Sequence, residues 1–419
     1  MKEYLGKKYV FTILFMVVLY ILAISNFVYS FDDLKEWGKE SLQEEGFSDP
    51  DSFMETSNNV VDSLDSTMNE HIKGRYKYVE LFGFYNKLLG KNEYNGFNMV
   101  RDNDGFLFYG NLWNFNRHNE VETDMYAKRV YSMQQKLAAK GTDLYVLSMP
   151  VKSMEQQLNF ATGIPFLDYS DVADDYLYYC NCFNLDAIDM RTALLQSGLK
   201  YEDLFFKTDH HWTPLAGFYG YQYLVEELKK DGYDLDPTGM YTDINNYNME
   251  TYNECWLGTF GIKTGVNYVN ELDSITLLVP NYETNFFYRY RYEGDTNFIE
   301  QEGSIDETLI QRKHIYEQLE GNLYEGSAYS SYMNGICAEE HIENRNNHNG
   351  PKVLFIRDSY SSTLATFFAN LCSEMDLIWA KGYGKSIEEL VEQNDYDIVF
   401  VATWPENLAE DSFDFYKEN

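Results

Sequence analysis

An uncharged apolar run from Tyr9 to Phe27 opens the chain, and the pattern changes abruptly after it. As a helix, such a run is long enough to cross bilayer hydrocarbon, and Lys2, Lys7 and Lys8 on its N-terminal side hold that end in the cytoplasm. Residues 1–30 are therefore read as a single-pass anchor in the cell membrane, with the rest of the chain extracytoplasmic. The competing reading is a cleaved signal peptide, but the residues around Val28 and Ser30 form no convincing small-x-small site. From 31 to 95 the chain is polar and acidic with scattered apolar positions (Trp37, Leu42, Phe47, Phe53, Val60, Val61, Leu64). Their spacing is too loose for a long coiled coil and predicts an acidic helical stalk or collar.

From 96 to 419 the rhythm is that of one larger domain. A turn at Arg101 to Gly105 leads into the aromatic run Phe106 to Tyr109, which predicts its first strand. Asp124 to Lys140 reads as a helix ended by Gly141, and Asp143 to Met149 as a buried strand stopped at Pro150. The alternation returns near the C-terminus, with strands at Lys352 to Ile356, Leu377 to Ala380 and Asp397 to Ala402. Helices at Thr363 to Cys372 and Ser386 to Gln393 separate them, the second opened by a capping box at Ser386 and Glu389. Continuous apolar strands alternating with helices predict an α/β fold, a parallel sheet with helices on both faces. Between about 232 and 349 that pattern gives way to short alternating runs, Ser274 to Val279 and Phe286 to Tyr292. This stretch is expected to be a mostly β insertion that shapes a substrate groove.

Composition narrows the function. The 33 Lys+Arg against 67 Asp+Glu give a formal net charge of -34, a field that repels phosphate backbones, so no nucleic-acid partner is expected. The 37 Tyr and 28 Phe beside only 8 Pro indicate packed, ordered structure. Five cysteines, an odd number, imply no disulfide framework, and Cys180 and Cys182 read as half-buried strand residues.

The chemistry concentrates in two places. Thr208-Asp209-His210-His211-Trp212-Thr213-Pro214 sets a carboxylate two residues from an imidazole, just ahead of a helix with Thr213 as N-cap and Pro214 as its first residue. Serine-type catalysis needs an imidazole to take the nucleophile's proton and a carboxylate to hold the ring in the right tautomer. Asp209 and His211 supply both, while His210 is left for a structural or substrate-contacting part. In Lys352 to Ser361 an apolar strand stops at Ser359 before a helix, which lifts the hydroxyl clear of the sheet and near helix-start N–H groups suited to an oxyanion. The bland reading of both motifs is helix capping. Two adjacent histidines in a chain with seven, together with a serine at a strand-to-helix corner, favour the catalytic reading. Zinc is the chemical rival for Asp209, His210 and His211, but the remaining histidines have no ligand spacing, and neither metal nor cofactor is expected.

Lys207 to Pro214 together with Ile356 to Tyr360 resembles the DHHW family of SGNH-hydrolase-like proteins, relatives of extracytoplasmic proteins that O-acetylate alginate and other bacterial polysaccharides. Gly105 to Tyr109, Met149 to Lys152, Gly258 to Gly265 and Asp395 to Val401 share the resemblance, which runs from about residue 100 to the end. It implies an SGNH-hydrolase-like (flavodoxin-like) fold with circularly permuted motif order and the triad Ser359, His211 and Asp209. Lys152, Arg357 and Tyr360, within the resembling stretches, are expected with His210 to contact substrate. The implied activity is O-acyl transfer, O-acetyl above all, to a cell-envelope polysaccharide, with the acyl group passed outward by a membrane-bound O-acyltransferase. A carbohydrate esterase with the same triad, or a non-catalytic scaffold binding glycan, are the alternatives.

Overall fold

The computed structural model describes residues 2–41, 60–61, 63–64, 67–68, 71–110, 121–154, 158–165 and 168–417. Leu42, Phe47 and Phe53 of the expected collar lie outside them. The chain divides into two compact units, Met1–Phe82 and Gly83–Asn419. In the first, one helix runs over Lys2–Tyr29 and another over Phe31–Ser41. The span Tyr9–Tyr29 is long and apolar enough to cross a membrane, and its side chains are not buried in protein. The Ser30 hydroxyl donates to His71 O at 2.7 Å, and His71 Nδ1 lies 3.1 Å from Asp33 Oδ2.

The second unit begins at Gly83. It holds a small antiparallel sheet of β1 (Glu93–Tyr94), β2 (Met99–Arg101) and β3 (Leu107–Tyr109), the last being the predicted first strand. Its centre is an eight-stranded sheet of β4 (Asp143–Ser148), β5 (Asp186–Asp189), β8 (Phe286–Arg291), β9 (Ile299–Gly303), β10 (Glu339–Asn344), β11 (Lys352–Arg357), β12 (Glu374–Ile378) and β13 (Ile398–Thr403). The order across it is β5-β4-β13-β11-β12-β10-β8-β9. From β5 to β12 neighbours pair in parallel, and β10, β8 and β9 add antiparallel. The parallel sheet expected from the sequence is present from β5 to β12, and three antiparallel strands extend it. The 232–349 stretch is mostly β, as expected: it supplies three strands of this sheet, β8, β9 and β10, while β6 (Tyr247–Trp256) and β7 (Asp273–Pro280) form a separate two-stranded sheet.

The physical cause lies in the strands. β11 and β13 are buried nearly end to end, which their unbroken Val, Leu, Ile and Phe runs require at the middle of a covered sheet. β8 alternates and β9 is largely exposed, as suits an edge. The helices Thr123–Ala138 and Ser170–Cys182 pack on each other, and Pro214–Lys230 packs on Ser362–Phe368. Cys180 and Cys182 belong to one of these helices, not to a strand. Val172, Ala173, Tyr176 and Cys180 are its buried residues, at helical spacing. All five cysteines are unbridged. Ser386 caps its helix by accepting from the Glu389 N–H at 3.1 Å.

Candidate active site

Thr213 and Pro214 do what their types predict: the Thr213 hydroxyl accepts from the Ala216 N–H at 3.1 Å and Pro214 opens the helix. Just before them a tight loop is closed by the bridge between Phe205 and Trp212. Buried Asp273 grips this loop from β7. One of its oxygens accepts from the Lys207 N–H at 2.7 Å and the other from the N–H and hydroxyl of Thr208 at 2.7 and 2.6 Å. From the other side the N-terminus of the helix Thr259–Thr264 closes in. The N–H groups of Phe260 and Gly261 donate to Thr208 O, both at 2.9 Å, and the Gly258 N–H donates to Thr208 Oγ1 at 2.8 Å.

The carboxylate of Asp209 is thereby delivered inward, 1% exposed, with both oxygens engaged. Oδ2 accepts from the Thr259 N–H at 2.8 Å. Oδ1 accepts from the His211 N–H at 2.9 Å and lies 2.6 Å from His211 Nδ1. Burial pushes its pKa up, but His211, through charge and hydrogen bond, and the Thr259 N–H outweigh burial and hold it well below the usual carboxylate range. An ionised carboxylate there requires the proton on Nδ1, which leaves Nε2 as an acceptor. Nε2 lies 2.8 Å from Ser359 Oγ. Three side chains separated by up to 150 positions thus form one continuous hydrogen-bonded line, its outer member on a half-buried residue.

Ser359 begins the 3-10 turn Ser359–Ser361 at the end of β11, as its place in the sequence indicated. Buried Asp358 fixes that turn: Oδ1 accepts from the Tyr360 N–H at 3.0 Å, and Oδ2 from the Trp404 N–H at 2.7 Å and Asn407 Nδ2 at 3.2 Å. Of the helix-start amides expected to be available, the Tyr360 N–H is thereby committed to Asp358. Arg357, behind the turn, donates to Asp358 O at 3.1 Å and to Ser362 Oγ at 3.0 Å, and pairs with Glu340, both side chains fully buried.

Lys152, Arg357 and Tyr360, expected to contact substrate, all turn inward. Lys152 Nζ donates to the carbonyls of Leu107, Lys207 and Asp209 at 2.8, 3.2 and 2.7 Å, within a cage of Phe106, Phe108 and Phe260. Burial pushes its pKa down to about 8. The guanidinium of Arg357 is spent on protein groups, and the Tyr360 hydroxyl donates to His210 O at 2.7 Å. His210 alone of the four remains partly exposed, stacked on Trp404 at 4.9 Å between centroids.

Asp209, His210 and His211 bring ligand atoms within 4.8 Å of one another. The donor set suits a metal poorly, since both oxygens of Asp209 and both ring nitrogens of His211 are already committed to Thr259, Ser359 and each other. Asp273, Gly258 and Thr259, Asp358, Trp404 and Tyr329 complete the site and had no assigned role in the sequence. Gly258, Thr259 and Asp358 lay within the stretches that carry the resemblance; Asp273, Trp404 and Tyr329 carried no local signal.

Residues 99–251 match the family model of an SGNH hydrolase-like domain, that of acetyltransferase AlgX. Among solved structures, Bacillus cereus PatB1 aligns with a TM-score of 0.58 at 18% identity, covering 76% of this chain and 99% of PatB1. Its sulfonyl adduct aligns at 0.59 and 18%, covering 76% and 98%. A DHHW family protein from Eubacterium siraeum aligns at 0.56 and 19%, covering 77% and 96%. Among curated proteins, none matches. The fold is thus SGNH-hydrolase-like, as the motifs indicated.

Proposed function

We propose that this chain is a membrane-anchored, extracytoplasmic O-acyltransferase that acetylates hydroxyls of a cell-envelope polysaccharide through an acyl-enzyme on Ser359. The observation that carries the reading is the unbroken line from Asp209 through His211, at 2.6 Å, to Ser359, at 2.8 Å. The AlgX acetyltransferase domain matched over 99–251 supports acetyl as the group moved. The apolar span Tyr9–Tyr29 supports the anchor, and in this reading a membrane-bound O-acyltransferase delivers the acyl group.

The chemistry runs in two balanced halves. Ser359 Oγ bonds to the acyl carbon as its proton passes to His211 Nε2, and collapse breaks the donor's C–O bond while His211 returns the proton to the departing oxygen. A sugar hydroxyl then attacks the acyl-serine, giving its proton to His211, and Ser359 leaves with that proton restored. Asp209 stays ionised throughout and holds the ring.

The test is incubation of the full chain in detergent with an acetyl-ester donor, with and without oligosaccharide. Acetylated sugar that disappears in Ser359→Ala supports transfer. Acetate release indifferent to the acceptor indicates an esterase, and envelope function undiminished in cells carrying Ser359→Ala indicates a scaffold.

A further inference from the structure

The imidazole of His211 is held between two rings. On one face lies Tyr329, centroids 3.9 Å apart and planes inclined by 17°; on the other lies His210, at 3.8 Å and 36°. Tyr329 belongs to the 3-10 turn Ala328–Ser331, in a stretch otherwise distant from both motifs, and is 2% exposed. Its hydroxyl accepts from Trp212 Nε1 at 3.2 Å and donates to Tyr360 O at 3.1 Å, so one residue registers the histidine loop against the serine turn.

The two rings differ in what they do to charge. An aromatic face attracts a cation lying over it, more strongly where water is excluded. His211 becomes such a cation whenever it takes the proton of Ser359. His210 on the opposite face stays neutral, because burial and the adjacent His211 push its pKa down to about 3, and so it adds no like charge. The other groups facing the ring are Asp209 at Nδ1, Ser359 at Nε2 and Tyr360 at 5.3 Å between centroids, with Asp358 near enough to feel its charge.

We infer that Tyr329 is a positioning residue for acyl transfer: its ring face, lying flat under His211, stabilises the imidazolium form and fixes the plane in which Nε2 meets Ser359. The inference rests on reading Ser359, His211 and Asp209 as the acyl-transfer triad. The hydroxyl is not the active part, since Trp212 Nε1 also donates directly to Tyr360 O at 2.9 Å and stays satisfied without it.

The experiment measures sulfonylation of Ser359 by phenylmethanesulfonyl fluoride, in which the O–S bond forms, S–F breaks, fluoride leaves and the proton passes to His211. Rates are taken from about pH 5 to about pH 9 on the full chain and on variants, with thermal unfolding recorded for each. Tyr329→Phe keeps the ring face and is expected to keep the acid limb of the unaltered chain, with any loss of rate smaller than that of the leucine variant. Tyr329→Leu is expected to react roughly 3- to 30-fold more slowly at neutral pH, with the acid limb displaced to lower pH, because the imidazolium has lost its partner. Should the leucine variant fail to fold, phenylalanines of increasing fluorination at 329 weaken the ring face at nearly constant shape, and the rate should fall stepwise. A rate and acid limb for Tyr329→Leu equal to the unaltered chain, or a flat fluorination series, overturns the inference alone. No labelling of Ser359 in the unaltered chain overturns the triad and this inference with it.

Discussion

Replacing Asp209 by Asn puts the proposed mechanism to a severe test, because the change keeps the shape and removes one acceptor. Oδ1 now serves the His211 N–H and Nδ1 while Oδ2 serves the Thr259 N–H. An amide has a single oxygen. Turned toward His211, it sets its NH2 against the Thr259 N–H, donor against donor. Turned the other way, the NH2 faces the ring and drives the proton to Nε2, so that Ser359 meets a donor where it needs a base. Each orientation leaves a buried N–H without a partner at about 1–3 kcal/mol, and the second also empties the catalytic tautomer. The expected loss in Ser359 acylation is about 10³- to 10⁴-fold, or about 4–5.5 kcal/mol at 1.36 kcal/mol per decade. The assay is acetyl-ester turnover beside circular-dichroism melting, which separates lost catalysis from lost fold. An Asn variant that melts normally and keeps its rate within about tenfold of the unaltered chain would refute the role given to Asp209.

Other consequences follow from the same geometry. A methyl on Gly258 would sit 2.3 Å from Asp209 Cβ and 2.7 Å from Thr208 O, so Gly258→Ala must push the loop aside. Its turnover is expected to fall roughly a hundredfold; unchanged turnover would show that the loop's placement is immaterial. Arg357→Met strands Glu340 without its partner at about 3–5 kcal/mol, which lowers the melting temperature by roughly 10 °C, and adding Glu340→Gln should recover part of it. No recovery in the double variant would mean that the pair is not what was lost. Lys152, held down to about 8 by burial against about 10.4 in the unfolded chain, binds fewer protons folded than unfolded across that interval. Its contribution to stability therefore rises with pH there. Urea unfolding at about pH 7 and about pH 10 should show the unaltered chain gaining roughly 1–3 kcal/mol more than Lys152→Met over that interval, and equal gains would argue against a buried ammonium.

Much of this protein is written locally. The uncharged run Tyr9 to Phe27, the apolar strands β4, β11 and β13, and the helix opened by Thr213 and Pro214 are each fixed by neighbours a few residues away, because hydrogen bonding within a helix and burial of a continuous strand act over that range. Asp209, His211 and Ser359 were legible for a related reason: each sits beside a signal for the end of an element, and sites in α/β sheets collect at such ends. The three strands that 286–344 lends to the central sheet were not legible, since a half-buried strand alternates alike whether it pairs within an insertion or at the edge of a larger sheet. Nor were the inward turn of Lys152, Arg357 and Tyr360, the grip of Asp273 and Gly258, or the ring of Tyr329 under His211. A cation's partners and a ring's neighbours are chosen by segments as far as 150 positions away, whose approach is set when the sheet closes, so only the assembled chain decides whether such a side chain faces a substrate or the protein itself.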